Sequence, residues 1–215
     1  EAVDRAGLAE KTLILFLSDN GGIEHEQSGR VVTSNRPLHG EKGTLYEGGI
    51  RVPAIARRPG HVPAGRETAT PAITMDLYPT LLELAGATTA AGQPLDGVSL
   101  APVLKNPAAA LARDTFYWHL PHYHHSTPAG AIRRGDWKLL EFFEDGALEL
   151  YDLGRDPGEQ HNLAAREPAR ARELRDALVA WRTKVGARMP KPNPQHDPAR
   201  ATELARAGNR RTAAP

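Results

Sequence analysis

The strongest constraint on the fold is a series of short β-rich runs in the second half of the chain. Turn signals containing Gly and Asp separate the last three of these runs, which are TFYWHL (115–120), AGAIRRG (129–135), DWKLLEFF (136–143) and LELYDL (148–153). Runs of this length bounded by turn residues are typical of an antiparallel meander. We therefore predict a small antiparallel sheet whose aromatic side chains pack on one face rather than bind a ligand.

An amphipathic helix is predicted directly after this meander, over residues 168–185. Its apolar stripe contains Leu174, Leu178, Trp181 and Val185. We expect this helix to lie on the small sheet. From Met189 onward the chain is rich in Pro, Ala, Arg and Asn without apolar periodicity, which indicates a poorly ordered or surface-hugging tail.

The first half of the chain has the pattern of an α/β domain. Residues 1–11 are consistent with the end of a helix, and the apolar run TLILFL (12–17) predicts a short buried strand. A second strand is predicted in IRVPAIA (50–56), with Pro53 at its start or at a sheet edge.

Two further segments complete this half. A helix is predicted over residues 73–85, starting near Thr74 to Asp76, because Pro79 fits only in the first turn of a helix. Residues 18–52 lack clear periodicity and are rich in Gly. A loop of that length within a compact domain is usually functional or disordered.

Composition limits the classes of function. The 215 residues include 27 Lys and Arg against 26 Asp and Glu, so the overall charge does not favour nucleic acid or an anionic membrane as a partner. Cysteine is absent, which excludes disulfides, thiolate metal sites and a cysteine-derived nucleophile in this chain. No apolar run approaches the roughly 18 residues of a membrane span. The chain starts without Met or a secretory leader, so we expect it to begin inside a longer protein.

The stretch SDNGG (18–22) follows the first predicted strand and has two interpretations. Asp-Asn-Gly is a common turn, since Asn and Gly tolerate positive φ. Alternatively, Asp19 and Asn20 place carboxylate and carboxamide oxygens at the carboxyl end of a strand, where ligands bind in open α/β sheets. Oxygens of this kind suit a hard cation such as Ca²⁺ or Mg²⁺. Both interpretations are open on these residues alone.

The segment GEKGTLYEGGIRVP (40–53) places Lys42 between glycines. Such glycines let the backbone pass close to a ligand. A flexible ammonium in that setting suits an anionic group such as sulfate or phosphate. Glu47 and Arg51 lie four residues apart, and we interpret them as a structural ion pair or backbone anchor because the glycines between them indicate a tightly packed turn.

Several stretches, in this order, resemble the C-terminal part of a sulfatase of the alkaline phosphatase superfamily. In the first half they are SDNGG, GEKGTLYEGGIRVP and DLYPTLLELAG (76–86). PLDGVSLAPVL (94–104), DWKLLE, LELYDL and DPGEQHNLA (156–164) resemble the small C-terminal subdomain of that family. The resemblance covers about residues 8–195.

The resemblance implies an α/β fold with three parts. Residues 1–106 would be the C-terminal portion of an alkaline-phosphatase-like mixed sheet with flanking helices. Residues 107–188 would form a small antiparallel sheet packed on a C-terminal helix, and residues 189–215 a Pro/Arg-rich tail.

The resemblance also implies the site residues. Asp19 and Asn20 would be ligands of Ca²⁺ or another divalent cation, and Lys42 would be the catalytic lysine that contacts the sulfate. The family nucleophile is a formylglycine, made from the cysteine of a C-x-P-S-R motif, which attacks sulfur; neither that motif nor the family's N-terminal Asp pair is found in this sequence. This chain alone is therefore expected to be inactive, and its expected partner is the N-terminal half of the same fold.

Four histidines cluster in WHLPHYHHSTPAG (118–130). A lone histidine is more often a structural residue, and a cluster of this kind can also bind a metal or a sugar sulfate. In proteins that this sequence resembles, the region reaches toward the substrate pocket. His122 and His124 are therefore the candidate substrate-binding residues.

The implied function of the complete protein is hydrolysis of a sulfate ester on a sulfated small molecule or carbohydrate. Two alternatives stay open: a phosphodiesterase or phosphonate hydrolase of the same superfamily, and a non-catalytic remnant. We expect no nucleic acid partner and no membrane span. A periplasmic or extracellular location is expected only if the complete protein carries a leader.

Overall fold

The computed structural model describes residues 1–194, and the chain divides into two compact units. The first consists of Glu1–Asp19 and Val52–Asp114, and the second of Asn20–Arg51 and the residues from Thr115 onward. In chain order the elements are α1 (Ala2–Arg5), β1 (Ile14–Leu17), β2 (His25–Gln27), β3 (Arg30–Thr33), α2 (Glu47–Ile50), β4 (Ala54–Arg57), α3 (Leu77–Leu84), α4 (Ala101–Lys105), β5 (Thr115–Leu120), β6 (Ala129–Arg134), β7 (Trp137–Phe142), β8 (Leu148–Asp152) and α5 (Pro168–Val185). Short 3₁₀ turns lie at Ala9–Lys11 and Thr74–Asp76.

The first unit contains a two-stranded antiparallel ribbon of β1 and β4. β4 begins directly after Pro53, which confirms the predicted strand start. The prediction that the first strand is buried is wrong, because Phe16 is 61% exposed and its cross-strand partner Ile55 is 62% exposed. The physical reason is that, within residues 1–194, β1 pairs with β4 alone, so this apolar face of the ribbon is open to solvent.

A buried carboxylate organises the helical part of the first unit. Asp76 accepts hydrogen bonds from the backbone N–H groups of Ile73 at 2.9 Å and Val98 at 3.0 Å. The Arg113 guanidinium donates to both carboxylate oxygens of Asp76, at 2.7 and 2.5 Å. Burial opposes ionisation of Asp76, but these hydrogen bonds outweigh it and lower its pKa. Asp76 thereby fixes the chain where α3 begins, at the predicted helix start.

The second unit is built on a four-stranded sheet in the order β5, β6, β7, β8, with every neighbouring pair antiparallel. This arrangement confirms the predicted meander. Ile132 pairs with Leu139, and Leu139 pairs with Leu150, so these three side chains share one face. Ala131 and Leu140 form the neighbouring pair and lie on the opposite face.

Helix α5 covers the first of these faces, as predicted. Ala171, Leu174 and Leu178 form a buried cluster with Ile132, Leu139 and Leu150. The Trp181 ring stacks on Tyr117, with centroids 4.9 Å apart and planes at 5°. The stripe differs from the prediction in its last turn, where Val185 is exposed and the guanidinium of Arg182 is buried against Glu141 at 2.5 Å.

Residues 20–51 cover the opposite face of the same sheet. Leu45 and Tyr46 pack in a buried cluster with Ala129, Ala131 and Leu140. This segment was not predicted to contain regular structure, yet β2 and β3 form an antiparallel hairpin in it and α2 follows. The hairpin turns at Ser28 and Gly29, both with positive φ (53° and 73°), and its strands carry exposed side chains that give no apolar periodicity.

The two units interleave in sequence. Residues 20–51 group with the C-terminal sheet, although residues 52–114 of the first unit separate them from it along the chain. The domain boundaries at 106 and 188 stay a prediction. Of the predicted tail, residues 189–194 have no helix or strand, and residues 195–215 lie outside the described residues.

Candidate active site

Lys42 lies in a turn whose backbone is fixed by its neighbours. Its side chain is exposed, while its backbone N–H donates to the Gly22 carbonyl at 3.1 Å. Asn35 joins the two flanking segments, because its Nδ2 donates to the carbonyls of Gly22 at 2.8 Å and Gly40 at 3.1 Å. No ion pair links Lys42 to another residue of the described part. The turn therefore presents the Lys42 ammonium to solvent from a well-held backbone.

Glycine is required where the SDNGG and GEKGTLYEGG segments touch. The Gly21 N–H donates to the Gly49 carbonyl at 2.9 Å, and a Cβ at Gly21 would overlap the carbonyl of Gly48. Gly48 in turn donates its N–H to the His39 carbonyl at 2.6 Å. Two motifs that are separate in sequence are thus in direct backbone contact in the second unit.

The histidine segment between β5 and β6 brings two rings to the Lys42 turn. The ring of His124 lies so close to Gly43 that a Cβ on this glycine would overlap it. The His125 ring stacks on His124, with centroids 4.6 Å apart. Nδ1 of His125 is 3.0 Å from Oε1 of Glu41, the residue before Lys42. The structure thus places His124 beside the loop that carries Lys42.

The other histidines of this region have different surroundings. His122 is exposed in the turn after β5. Nε2 of His119 lies 2.8 Å from the Arg188 carbonyl, which gives this ring a structural contact. His39 lies against Tyr46 with ring centroids 4.0 Å apart, and burial lowers the pKa of His39.

A buried ionic network anchors the segment that follows Lys42. The Lys138 ammonium lies 2.9 Å from Oε1 of Glu47 and 2.8 Å from Oε1 of Glu159. The backbone N–H of Glu47 donates to Oε2 of Glu159 at 2.7 Å. The side chains of Lys138 and Glu159 are 0% exposed and that of Glu47 is 2% exposed. The network therefore ties α2 to β7 and to the turn after β8.

The predicted ion pair between Glu47 and Arg51 is present but is the weaker contact of Glu47. Arg51 approaches the Glu47 carboxylate to 3.9 Å from an exposed position. The structural role assigned to Glu47 is confirmed, and Lys138 is its principal partner. Burial raises the pKa of Glu159 to about 7, and the Lys138 charge opposes that rise.

Asp19 and Asn20 supply two oxygen ligands of the kind that a hard cation prefers. The Asp19 side chain is exposed, with Oδ1 3.5 Å from the Ser18 hydroxyl, and Asn20 is half-buried. Ca²⁺ takes about six to eight oxygens. Within residues 1–194, no group of three or more His, Cys, Asp or Glu side chains is arranged to hold a metal ion. The donor chemistry of Asp19 and Asn20 fits part of a cation site rather than a whole one.

Comparison with known proteins decides the family. A family model described as N-sulphoglucosamine sulphohydrolase, C-terminal, matches residues 39–184, which is more than half of the chain. The chain belongs to the sulfatase family. It is 38% identical over 197 residues to a sulfatase of Formosa agariphila, covering 84% of this chain and 34% of that protein. It is 34% identical over 200 residues to human arylsulfatase A, covering 82% of this chain and 38% of that protein.

Two solved structures share the fold of this chain. Ps i-CgsB in complex with k-i-k-neocarrahexaose superposes with a TM-score of 0.69 at 30% identity, covering 100% of this chain and 44% of that chain. BT4656 in complex with its substrate D-Glucosamine-2-N, 6-O-disulfate gives a TM-score of 0.68 at 28% identity, covering 90% of this chain and 38% of that one. The predicted α/β class with an alkaline-phosphatase-like fold is confirmed.

The chain spans about a third of the length of the curated relatives it matches: 34% of the Formosa agariphila sulfatase and 38% of human arylsulfatase A. The family model that it matches is described as C-terminal, so the chain corresponds to a C-terminal portion of a sulfatase. None of the helices within residues 1–194 has the length and apolar character needed to cross a membrane.

Sequence reasoning missed three residues that shape the candidate site: Glu41, Lys138 and Glu159. Lys138 carried a usable signal, since it and Glu141 are charged residues inside the apolar-rich strand WKLLEF. Glu159 offered none, because its role depends on contact with Glu47, 112 positions away in sequence.

Proposed function

We propose that the protein containing this chain hydrolyses sulfate esters and acts on a sulfated sugar. The observation that carries the proposal is the exposed ammonium of Lys42 on a turn held by Gly22, Asn35 and Gly40, in a chain of the sulfatase family. An ammonium in this position suits a sulfate group, because it offers three donors and a full positive charge to oxygens that share negative charge.

In the proposed reaction Lys42 acts on charge that develops as the ester S–O bond breaks. Its ammonium would bind the sulfate oxygens and stabilise negative charge on the leaving oxygen. In the overall hydrolysis water supplies the proton that gives the free alcohol and the oxygen that leaves with the sulfate product. Because Asn35 and Gly22 fix the backbone of the turn, the point from which the Lys42 side chain extends is set before substrate binds. Pre-orientation of this kind lowers the cost of reaching the transition state.

Asp19 and Asn20 would hold a divalent cation, with Ca²⁺ the expected ion. When bound, the cation would supply Lewis-acid polarisation of sulfate oxygens. The remaining ligands and the formylglycine nucleophile are proposed to come from the part of the protein outside this chain. On this view the present chain supplies Lys42 and two ligand oxygens but does not turn over substrate alone.

The sugar part of the proposal draws on the histidines and on two solved structures of similar fold. Ps i-CgsB was solved with a neocarrahexaose, and BT4656 with the substrate D-Glucosamine-2-N, 6-O-disulfate. His124 lies beside Gly43, next to Lys42, and His122 lies two residues earlier in the same exposed turn. Imidazoles can donate to sulfate oxygens and exchange hydrogen bonds with hydroxyls. We assign His122 and His124 to substrate binding on this basis.

The decisive experiment compares sulfate and phosphate esters on the complete protein. We expect para-nitrophenyl sulfate to be hydrolysed faster than para-nitrophenyl phosphate, and Lys42→Ala to lower kcat by roughly 10²- to 10³-fold, as expected for loss of one oxyanion-stabilising donor. Lys184→Ala, which removes an exposed lysine from the last turn of α5, is the matched control and should leave kcat unchanged. Faster phosphate hydrolysis, or an unchanged kcat in Lys42→Ala, would refute the proposal.

The cation is tested separately by calorimetric titration of Ca²⁺ into the complete, metal-stripped protein. Asp19→Ala should weaken Ca²⁺ binding by about tenfold or more, because a charged ligand oxygen is lost. Asp145→Ala removes an exposed carboxylate from the turn between β7 and β8 and serves as the control. Equal Ca²⁺ affinity in wild type and Asp19→Ala would rule out the metal assignment.

A further inference from the structure

Glu41 makes two contacts that the reaction proposed for Lys42 does not use. Oε2 accepts the backbone N–H of Glu24 at 2.7 Å, and Oε1 lies 3.0 Å from Nδ1 of His125. The Glu41 side chain is 12% exposed and that of His125 is 35% exposed. Glu41 therefore joins the Lys42 turn to the chain entering β2 and to the histidine segment after β5.

The Glu41 carboxylate selects one tautomer of His125. An ionised carboxylate only accepts hydrogen bonds, so Nδ1 of His125 must carry the proton. In neutral His125 the lone pair is then left on Nε2, which becomes a hydrogen-bond acceptor. Nε2 of His125 makes no hydrogen bond to any residue between 1 and 194.

The ring of His125 is also held in place from the side. It stacks on His124 with centroids 4.6 Å apart and planes at 22°, and His124 lies against Gly43. Residues 41 and 43 flank Lys42, so both rings are held by residues adjacent to the lysine. An acceptor of fixed direction is thereby placed at the rim of the Lys42 turn.

We propose that Glu41 is a positioning residue which holds His125 in the tautomer that accepts a hydrogen bond from a hydroxyl group of the substrate sugar. The inference rests on the proposed sulfatase function and assigns to the same site a preference for hydroxyl-bearing leaving groups. A hydroxyl can donate to the Nε2 lone pair of His125, whereas the opposite tautomer would present an N–H to it. Specificity follows because a hydroxyl that lacks its acceptor is left unpaired on binding.

The test compares two substrates on the complete protein. D-Glucosamine-2-N, 6-O-disulfate bears free sugar hydroxyls, whereas para-nitrophenyl sulfate bears none. His125→Ala and Glu41→Gln should raise KM for the sugar sulfate by about 5- to 10-fold, the loss expected for one neutral hydrogen bond. KM for the aryl sulfate, which offers no hydroxyl to His125, should rise less in both variants than KM for the sugar sulfate. His125→Gln, which returns an amide near the position of Nε2, should recover part of the sugar-sulfate affinity.

Two further measurements separate positioning from a general structural effect. Nitrogen NMR of histidine-labelled protein should show the Nδ1–H tautomer of His125 in wild type and a mixture in Glu41→Gln, because an amide can either donate to Nδ1 or accept from it. His161→Ala is the matched control, since His161 forms another exposed histidine–carboxylate pair, 3.5 Å from Asp156. It should leave both substrates unaffected.

The outcomes distinguish the inference from the function on which it rests. If wild type hydrolyses neither sulfate ester, the proposed sulfatase function itself fails. If wild type hydrolyses the aryl ester alone, or if Glu41→Gln and His125→Ala affect both substrates equally or not at all, the role of Glu41 and His125 is refuted and sulfatase activity stands. An unchanged tautomer in Glu41→Gln would also overturn the positioning role.

Discussion

Replacing Lys138 by Met tests whether the buried network fixes the segment that follows Lys42. Lys138 lies 2.9 Å from Glu47 and 2.8 Å from Glu159, and none of the three side chains is more than 2% exposed. Methionine keeps most of the apolar stem of lysine, so the substitution removes the charge while leaving little cavity. Two buried carboxylates then remain, and among residues 1–194 the exposed Arg51, 3.9 Å from Glu47, is the one other cation in an ion pair with them.

The size of the effect follows from the protons that the variant must bind. Burial already raises the pKa of Glu159 to about 7 in the wild type, so loss of Lys138 forces about one additional carboxyl to become neutral. Protonating a glutamate with an ordinary pKa of about 4.3 costs roughly 4 kcal/mol near pH 7.5 and about 1 kcal/mol near pH 5. Folded Lys138→Met binds more protons than wild type, so its relative stability falls as pH rises. We expect a loss of about 4 kcal/mol near pH 7.5 that shrinks to about 1 kcal/mol near pH 5.

Urea unfolding of the complete protein at both pH values provides the measurement. Lys184→Met, at an exposed site on α5, should change the free energy of unfolding by less than about 0.5 kcal/mol. The triple variant Lys138→Met, Glu47→Gln, Glu159→Gln should recover part of the loss, because neutral groups need no counter-charge. A loss below about 1 kcal/mol at both pH values would refute the assignment of Lys138 as the counter-ion of this segment.

Three further predictions concern stability and are checked by urea unfolding. Burial raises the pKa of Glu159 to about 7, so the stability that its protonation contributes is fully present below about pH 4.5 and is lost as pH rises through 7. Glu159→Gln should abolish this decline of about 3 kcal/mol in the free energy of unfolding, and parallel pH profiles would contradict the prediction. Asp76→Ala should lower the free energy of unfolding by about 3 kcal/mol above pH 4, where the ion pair with Arg113 is complete. The difference from wild type should shrink at lower pH, because the wild-type carboxyl, whose pKa is lowered, then takes up a proton. Leu178→Ala should cost about 2 to 5 kcal/mol, against less than about 1 for the more exposed neighbour in Val179→Ala.

The parts of the fold that depend on local pattern could be predicted from the sequence. The strands of the meander and α5 are short-range features, because β-rich runs, turn residues and the stripe through Leu174 and Leu178 are all visible within a few residues. The exposure of Phe16 could not be predicted in this way. An apolar run indicates what a strand is suited to pack against, whereas burial depends on which other strands and helices lie beside it.

Only the part of the candidate site that lies in local motifs could be predicted from the sequence. Lys42 and His124 were identified from motifs, and the structure places the His124 ring beside Gly43. The contact between Glu41 and His125 spans 84 positions, and that between Glu47 and Glu159 spans 112. Pairings over such separations leave no local signature in a single sequence, so these partners emerged only from the fold.

The long separation between Glu47 and its anchor Glu159 has a consequence for the order of events during synthesis. A ribosome adds roughly 5 to 20 residues per second, so the 112 positions between the two residues correspond to roughly 6 to 20 seconds of translation. For most of that interval β7, which carries Lys138, has not been synthesised, and the turn that carries Glu159 is completed only at its end. The segment after Lys42 must therefore wait for the C-terminal sheet, and a nascent chain that stops before residue 159 would carry the lysine turn without its buried support.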